Sequence, residues 1–130
     1  MNQLIPYICV ADARAAIDWY ADVFGAEVVM GPFAMDDGRI GHVEMAIGNP
    51  PTAQWMISDE LPGLGIAVPD KDRGAAVTLR LQVPDVDAVA QRAAAAGGTL
   101  QRGPEDEPGI GRLAAFHDPF GHRWFLTQTR

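Results

Sequence analysis

The sequence predicts an α+β fold made of two tandem βαβββ modules. Three observations carry that prediction. Apolar segments of period two alternate with two segments of helical period. The pattern repeats: Asp12 and Asp85 lie 73 residues apart, and the same step takes Gly25 to Gly98 and Gly38-Arg39-Ile40 to Gly111-Arg112-Leu113. The chain then closes on His117-Asp118-Pro119-Phe120-Gly121-His122-Arg123, where proline and glycine set a tight turn between two apolar runs.

Along the chain, Leu4 to Val10 alternate with both faces largely apolar, the mark of a buried strand, and Pro6 places it at an edge or with its missing N–H turned away from a neighbour. Asp12 is a helix N-cap; Ala16, Ile17, Tyr20, Val23 and Phe24 recur at helical spacing, and Gly25 stops the helix. Val28 to Phe33, Arg39 to Ile47 and Thr52 to Ser58 read as strands. Asp59 to Gly74, rich in proline and glycine, reads as a connector. Val77 to Val83 alternates as a half-buried strand, Asp85 caps a second helix that ends at Gly97-Gly98, and Thr99 to Arg102, Gly111 to His117 and Arg123 to Thr127 complete the second module. The expected division is one domain over 1–130, with module 1 at about 1–60, a linker at about 61–75 and module 2 at about 76–130.

Composition narrows the function classes. A chain of 130 residues can bury a core without metal or disulfide staples. The lone cysteine, Cys9, cannot form an internal disulfide, and no apolar run reaches the length of a membrane span. The first residues carry no basic-then-apolar leader pattern, so the expected location is a reducing cytoplasm. A net charge of −7 with a single lysine, Lys71, argues against a nucleic-acid partner. The acidic loop Glu105-Asp106-Glu107 and the pair Asp59-Glu60 read as solvated surface, or as a rim that would suit a cationic ligand.

The closing Asp118-Pro119-Phe120-Gly121-His122 hairpin, the helix motif Ala16-Ile17-Asp18-Trp19-Tyr20 with Phe24-Gly25-Ala26, the run Gly41-His42-Val43-Glu44-Met45 and the run Ile57-Ser58-Asp59-Glu60-Leu61-Pro62 follow one another in a familiar order. In this the chain resembles the vicinal oxygen chelate superfamily of glyoxalase I, bleomycin-resistance proteins and extradiol dioxygenases, within an uncharacterised glyoxalase-like branch. The resemblance implies paired modules whose sheets curl around a concave cavity, a small-molecule ligand and a homodimer. It also implies metal positions on the first, fourth, fifth and eighth strands, which fall at Ile5, Met56, Thr78 and Phe125. None is a usual ligand for a divalent cation, so no metal and no other cofactor is expected.

Strand alternation in phase with those positions turns Ile5, Tyr7 and Cys9, Gln54, Met56 and Ser58, Thr78, Arg80 and Gln82, and Arg123, Phe125 and Thr127 toward the cavity. Trp55 and Trp124 fall out of phase and belong under the helices as repeat mates. His42 and Glu44 share a strand face, and the step of 73 pairs them with Ala115 and His117. They read either as a hydrogen-bonded pair or, with His117, as a displaced metal site. His117 and His122 flank the turn, where histidines are ordinary. Arg80 and Arg123 either bind an anionic ligand group or pair with acids such as Glu44.

The expected ligand-binding cavity is therefore Tyr7, His42, Glu44, Gln54, Met56, Thr78, Arg80, Gln82, His117, Arg123 and Phe125, with catalytic residues unassigned. The leading expectation is a metal-free receptor that sequesters an antibiotic or metabolite. The alternatives are a lyase, isomerase or dioxygenase, metal-dependent through His42, Glu44 and His117 or acid–base through Glu44, and a structural or regulatory module whose cavity its own side chains fill.

Overall fold

A computed structural model describes residues 1–129. The chain divides into two compact units, Met1–Val68 and the part that starts at Pro69. In the first unit β1 (Tyr7–Cys9), α1 (Ala13–Phe24), β2 (Glu27–Ala34), β3 (Ile40–Ile47) and β4 (Ala53–Ser58) build a four-stranded sheet in the order β1-β4-β3-β2. In the second, β5 (Thr78–Val83), α2 (Val86–Ala95), β6 (Thr99–Glu107), β7 (Gly111–His117) and β8 (Arg123–Gln128) give the order β5-β8-β7-β6. In each, the strand before the helix pairs parallel with the last strand and the other ladders are antiparallel. These are two βαβββ modules.

Both helices begin as the caps require. Asp12 and Asp85 are extended, and their carboxylates accept the backbone N–H groups of Ala15 and Ala88. Helix α1 turns Ala13, Ala16, Trp19, Tyr20, Val23 and Phe24 onto its sheet, where Trp55 of β4 meets Tyr20 edge-on at 5.5 Å. Helix α2 presents the smaller Val86, Val89, Ala90 and Ala93. Trp124 of β8, 3% exposed, is held by a bond from its Nε1 to Asp118 Oδ2 at 2.9 Å. Each large apolar side chain buried this way contributes about 1.5–3 kcal/mol.

Four sequence expectations change. The first strand keeps only Tyr7–Cys9, so Leu4 and Ile5 precede it, although the Pro6 carbonyl still accepts the Met56 N–H. The connector carries a short 3-10 turn at Pro62–Leu64, closed by a bridge between Leu61 and Ile66. The acidic segment Glu105-Asp106-Glu107 is the end of strand β6 rather than a loop, because Arg102 pairs with Glu105 and Glu107 while Arg112 pairs with Asp106. Asp59 is no solvated surface charge: its carboxylate accepts the N–H groups of Ala13 and Ile40, both at 2.7 Å.

The repeat step is also not constant. Tyr7 opposes Met56 and Arg80 opposes Phe125, so 73 holds before the helices. Gly31 and Gly103, both at positive φ, lie against the carbonyls of His42 and Leu113, and Phe33 and Glu105 pair with those same residues. His42 thus corresponds to Leu113 and Glu44 to Ala115, a step of 71, while Trp55 corresponds to Trp124, a step of 69. The assignment of Ala115 and His117 as mates of His42 and Glu44 is therefore corrected. The second module has shed residues in its turns, and a fixed step cannot see that.

Candidate functional site

In the first unit the ladders bring Tyr7, Met56 and Glu44 into one row across β1, β4 and β3. Alternation puts His42 on the same face, and pairing with β2 sets Met30 beside Glu44 and Phe33 beside His42. The polar groups interlock. Glu44 accepts from His42 Nε2 and from Gln54 Nε2, each at 3.2 Å, so both carboxylate oxygens are engaged. A carboxylate only accepts, which puts a ring proton on Nε2. Nδ1 of the same ring lies 3.4 Å from the Tyr7 hydroxyl, which donates to the Gly41 carbonyl at 2.6 Å. Phe33 stacks along the imidazole and Tyr7 meets it edge-on. The Glu44 side chain is only 14% exposed, a burial tolerable for a charge because two donors face it. Around this chain of bonds Met30, Phe33 and Met35 stay exposed, an apolar rim on a polar floor.

In the second unit the equivalent face carries different chemistry. Arg80 stands where Tyr7 stands, Phe125 where Met56 stands, Ala115 where Glu44 stands, and Arg123 where Gln54 stands. Arg80 Nε donates to Thr127 Oγ1 at 3.1 Å; Arg123 donates from Nε to Gln101 at 2.8 Å and from a terminal nitrogen to Thr78 at 3.0 Å. His117 opposes Arg123 across the ladder and lines a cleft of about 540 Å³ together with Lys71, Thr99 and Gln101.

The structure thus joins Tyr7, His42, Glu44, Gln54 and Met56 in one unit, and Thr78, Arg80, Gln82, His117, Arg123 and Phe125 in the other. Cys9, Ser58 and Thr127 are buried. Burial, then the charges of Glu60 and Asp59, push the Cys9 thiol above its ordinary range. Within the second unit Arg80 and Arg123 form no ion pair with a described acid, so the expectation of pairing with acids is not met there: their partners are neutral hydroxyl and amide groups. No third His, Cys, Asp or Glu joins His42 and Glu44 in a metal-sized group among the described residues. Sequence reasoning missed Met30, Phe33 and Gln101. The two Gly-Pro dipeptides, Gly31-Pro32 and Gly103-Pro104, stand 72 apart and were a signal that the step shifts beside Met30 and Phe33; nothing comparable marked Gln101.

Two βαβββ units, each with a helix on one sheet face and an open polar face on the other, define a class of small α+β proteins. The chain belongs to the Glyoxalase/Bleomycin resistance protein/Dioxygenase superfamily, whose sequence profile matches residues 2–126. An uncharacterized protein of Mycobacterium bovis is 38% identical over 128 residues, which cover 96% of this chain and 82% of that one. A protein of Pseudomonas aeruginosa shares the fold at a TM-score of 0.75 and 19% identity, over 98% of each chain. A fosfomycin resistance protein of Listeria monocytogenes shares it at 0.69 and 16% identity, over 100% of this chain and 92% of that one. No helix among the described residues is long and apolar enough to cross a membrane.

Proposed function

We propose that the protein binds a small organic molecule without a divalent metal, on faces floored by Tyr7, His42, Glu44, Gln54 and Met56 in the first unit and by Thr78, Arg80, Gln82, His117, Arg123 and Phe125 in the second. The observation that carries this reading is the His42–Glu44–Gln54 chain of hydrogen bonds, with Tyr7 edge-on to His42, beneath exposed Met30 and Phe33. A preformed polar floor with apolar walls fixes a ligand's orientation and supplies its contact area. The four strand positions that would hold a metal carry Ile5, Met56, Thr78 and Phe125, which offer no carboxylate, imidazole or thiolate, so no divalent ion suits them. A resistance-type role, sequestering an antibiotic or metabolite, is the natural use of such a receptor, and a homodimer in the cytoplasm is its proposed setting.

The test is a thermal-shift screen of chelator-treated protein against antibiotics and metabolites, repeated on Tyr7→Phe and Glu44→Gln. The expected result is a hit that raises Tm and loses about tenfold in affinity in Glu44→Gln, since one charge-assisted hydrogen bond is worth about 1.5–3 kcal/mol. Hits indifferent to both substitutions would contradict this placement. Light scattering of the same samples checks the dimer.

One geometric fact favours a second reading, acid–base catalysis. With both oxygens of Glu44 engaged, the group poised to exchange a proton is His42, oriented by Glu44 as bases are oriented in hydrolytic triads. On that reading a hit would be turned over, and Glu44→Gln would lower kcat while leaving KM nearly unchanged.

A further inference from the structure

The second unit distributes its carboxylates unevenly among its strand arginines. Arg102 holds Glu105 and Glu107 at 2.8 and 2.7 Å. Arg112 grips Asp87 with two bonds of 2.8 Å and reaches Asp106 at 3.5 Å. Asp85 caps α2 through Ala88 N. Asp118 is spent on the N–H groups of Phe120 and His122 and on Trp124 Nε1. Asp70 accepts from Asp72 N. Arg80 and Arg123 receive none of them.

These two arginines are diagonal neighbours on one sheet face, since Thr78 opposes Arg123 and Arg80 opposes Phe125, with Arg80 reaching on to Thr127 and Arg123 across to Thr78. Neither has a counter-ion among the described carboxylates of its unit, and a neutral threonine or glutamine does not offset the charge. The neutral partners do something else: each bond lies on one edge of its guanidinium. Arg80 is fixed through Nε and keeps both terminal nitrogens clear of any described partner, and Arg123 keeps one. A planar fork so held is pre-organised for an oxyanion. Gln101, which orients Arg123, and His117, which opposes it, also line the cleft of about 540 Å³ that contains Lys71. The carboxylates of that cleft are Asp70 and Asp118, both engaged as above.

We infer that Arg80 and Arg123 form an oxyanion subsite that receives a carboxylate or phosphoryl group of the ligand, Lys71 and His117 extending it toward the cleft. The inference rests on the small-molecule-binding reading and names the ligand's anionic end. Although the chain as a whole is acidic, the ligand on this account is an acid.

The experiment titrates the full chain with inorganic phosphate and, separately, succinate, each against sodium chloride of matched ionic strength, by calorimetry and thermal melting. Wild type is compared with Arg80→Gln, Arg123→Gln and, as a charge-balanced control, Arg102→Gln. The expected result is saturable binding of at least one probe above the chloride control. Affinity should fall about tenfold or more in Arg80→Gln and Arg123→Gln and by less than about twofold in Arg102→Gln. Phosphate alone assigns a tetrahedral group and succinate alone a carboxylate. Should a glutamine variant fail to fold, Arg80→Lys and Arg123→Lys keep charge and stem but lose the fork, and a drop of about fivefold is then expected. Binding no stronger than chloride, equal loss in Arg102→Gln, or full affinity in the subsite variants would overturn the subsite. None of those outcomes touches the Glu44-dependent shift of organic ligands, so the two readings fail separately.

Discussion

The first unit holds nine acidic residues and two arginines; the second holds eight acidic and eight basic residues. The whole net charge of −7 therefore belongs to the first unit. Yet its open face is nearly neutral in character, a chain of hydrogen bonds around one buried carboxylate, while the balanced second unit exposes two guanidinium groups with neutral partners only. Net charge says little about a face; the placement of counter-ions decides it. The two modules share a scaffold and have diverged at matched positions, Tyr7 against Arg80, Glu44 against Ala115 and Gln54 against Arg123, which gives one fold a polar, aromatic sheet face and a cationic one.

If the modules share a scaffold, their shared backbone devices should fail alike. Gly103 has φ +70, and a Cβ there would lie 2.5 Å from the Leu113 carbonyl; Gly31 has φ +82 and 2.9 Å to the His42 carbonyl. Gly103→Ala should cost about 4 kcal/mol and Gly31→Ala about 3 kcal/mol by denaturant unfolding, left-handed backbone and close approach acting together. Tolerance of alanine at one position and collapse at the other would break the register equivalence.

Asp118→Ala should cost about 3 kcal/mol, since it strips the acceptor from two turn N–H groups and from the buried Trp124 Nε1. The next contrast is between matched residues at the helix starts. Asp59 accepts from Ala13 N and Ile40 N, while its counterpart Gln128 accepts from Val86 N alone at 3.1 Å. Asp59→Ala should cost about 2 kcal/mol and Gln128→Ala about 1 kcal/mol or less, because the charged group accepts two bonds at a helix N-terminus. Matching losses would say the charge adds nothing.

The smallest effect is electrostatic and is read by NMR titration. Both Asp37 and Asp87 sit below their ordinary 3.8, Asp37 chiefly through the Arg39 backbone N–H and Asp87 chiefly through the Arg112 side chain. Arg112→Gln should move Asp87 back toward the ordinary range, whereas Arg39→Gln should leave part of the Asp37 shift in place, because the backbone N–H at position 39 remains. A depressed carboxyl stabilises the fold above its unfolded pKa and loses that contribution as pH falls through the folded one. The gap between wild type and Arg112→Gln should therefore close below about pH 4.

The helices, their aspartate caps, the closing hairpin and the burial of Trp55 and Trp124 were legible because each rests on local chemistry: a side chain that caps, a turn that needs glycine, an apolar period. Strand phase likewise placed Tyr7, Met56, Arg80 and Phe125 correctly within their ladders. What was not legible was long-range bookkeeping of register. Turns shortened by a residue or two move His42 from a match with Ala115 to one with Leu113, and apart from the step of 72 between the Gly-Pro dipeptides the sequence around His42 does not record that. The pairing of Arg102 with Glu105 and Glu107 was hidden for a similar reason, because a run of acids looks like a loop until the strand that carries it is known. The neutral partners of Arg80 and Arg123 come from three different strands and could not be read from any one segment.

On the proposed function, the first unit's His42–Glu44 pair serves an organic ligand and not a metal. Elemental analysis of protein purified without chelator, followed by titration with Ni²⁺, Zn²⁺, Mn²⁺ and Fe²⁺, tests it directly in wild type and His42→Ala. Far less than one equivalent of metal per chain is expected, with no saturable binding that His42→Ala removes. One equivalent, held tightly and lost in that variant, would contradict it.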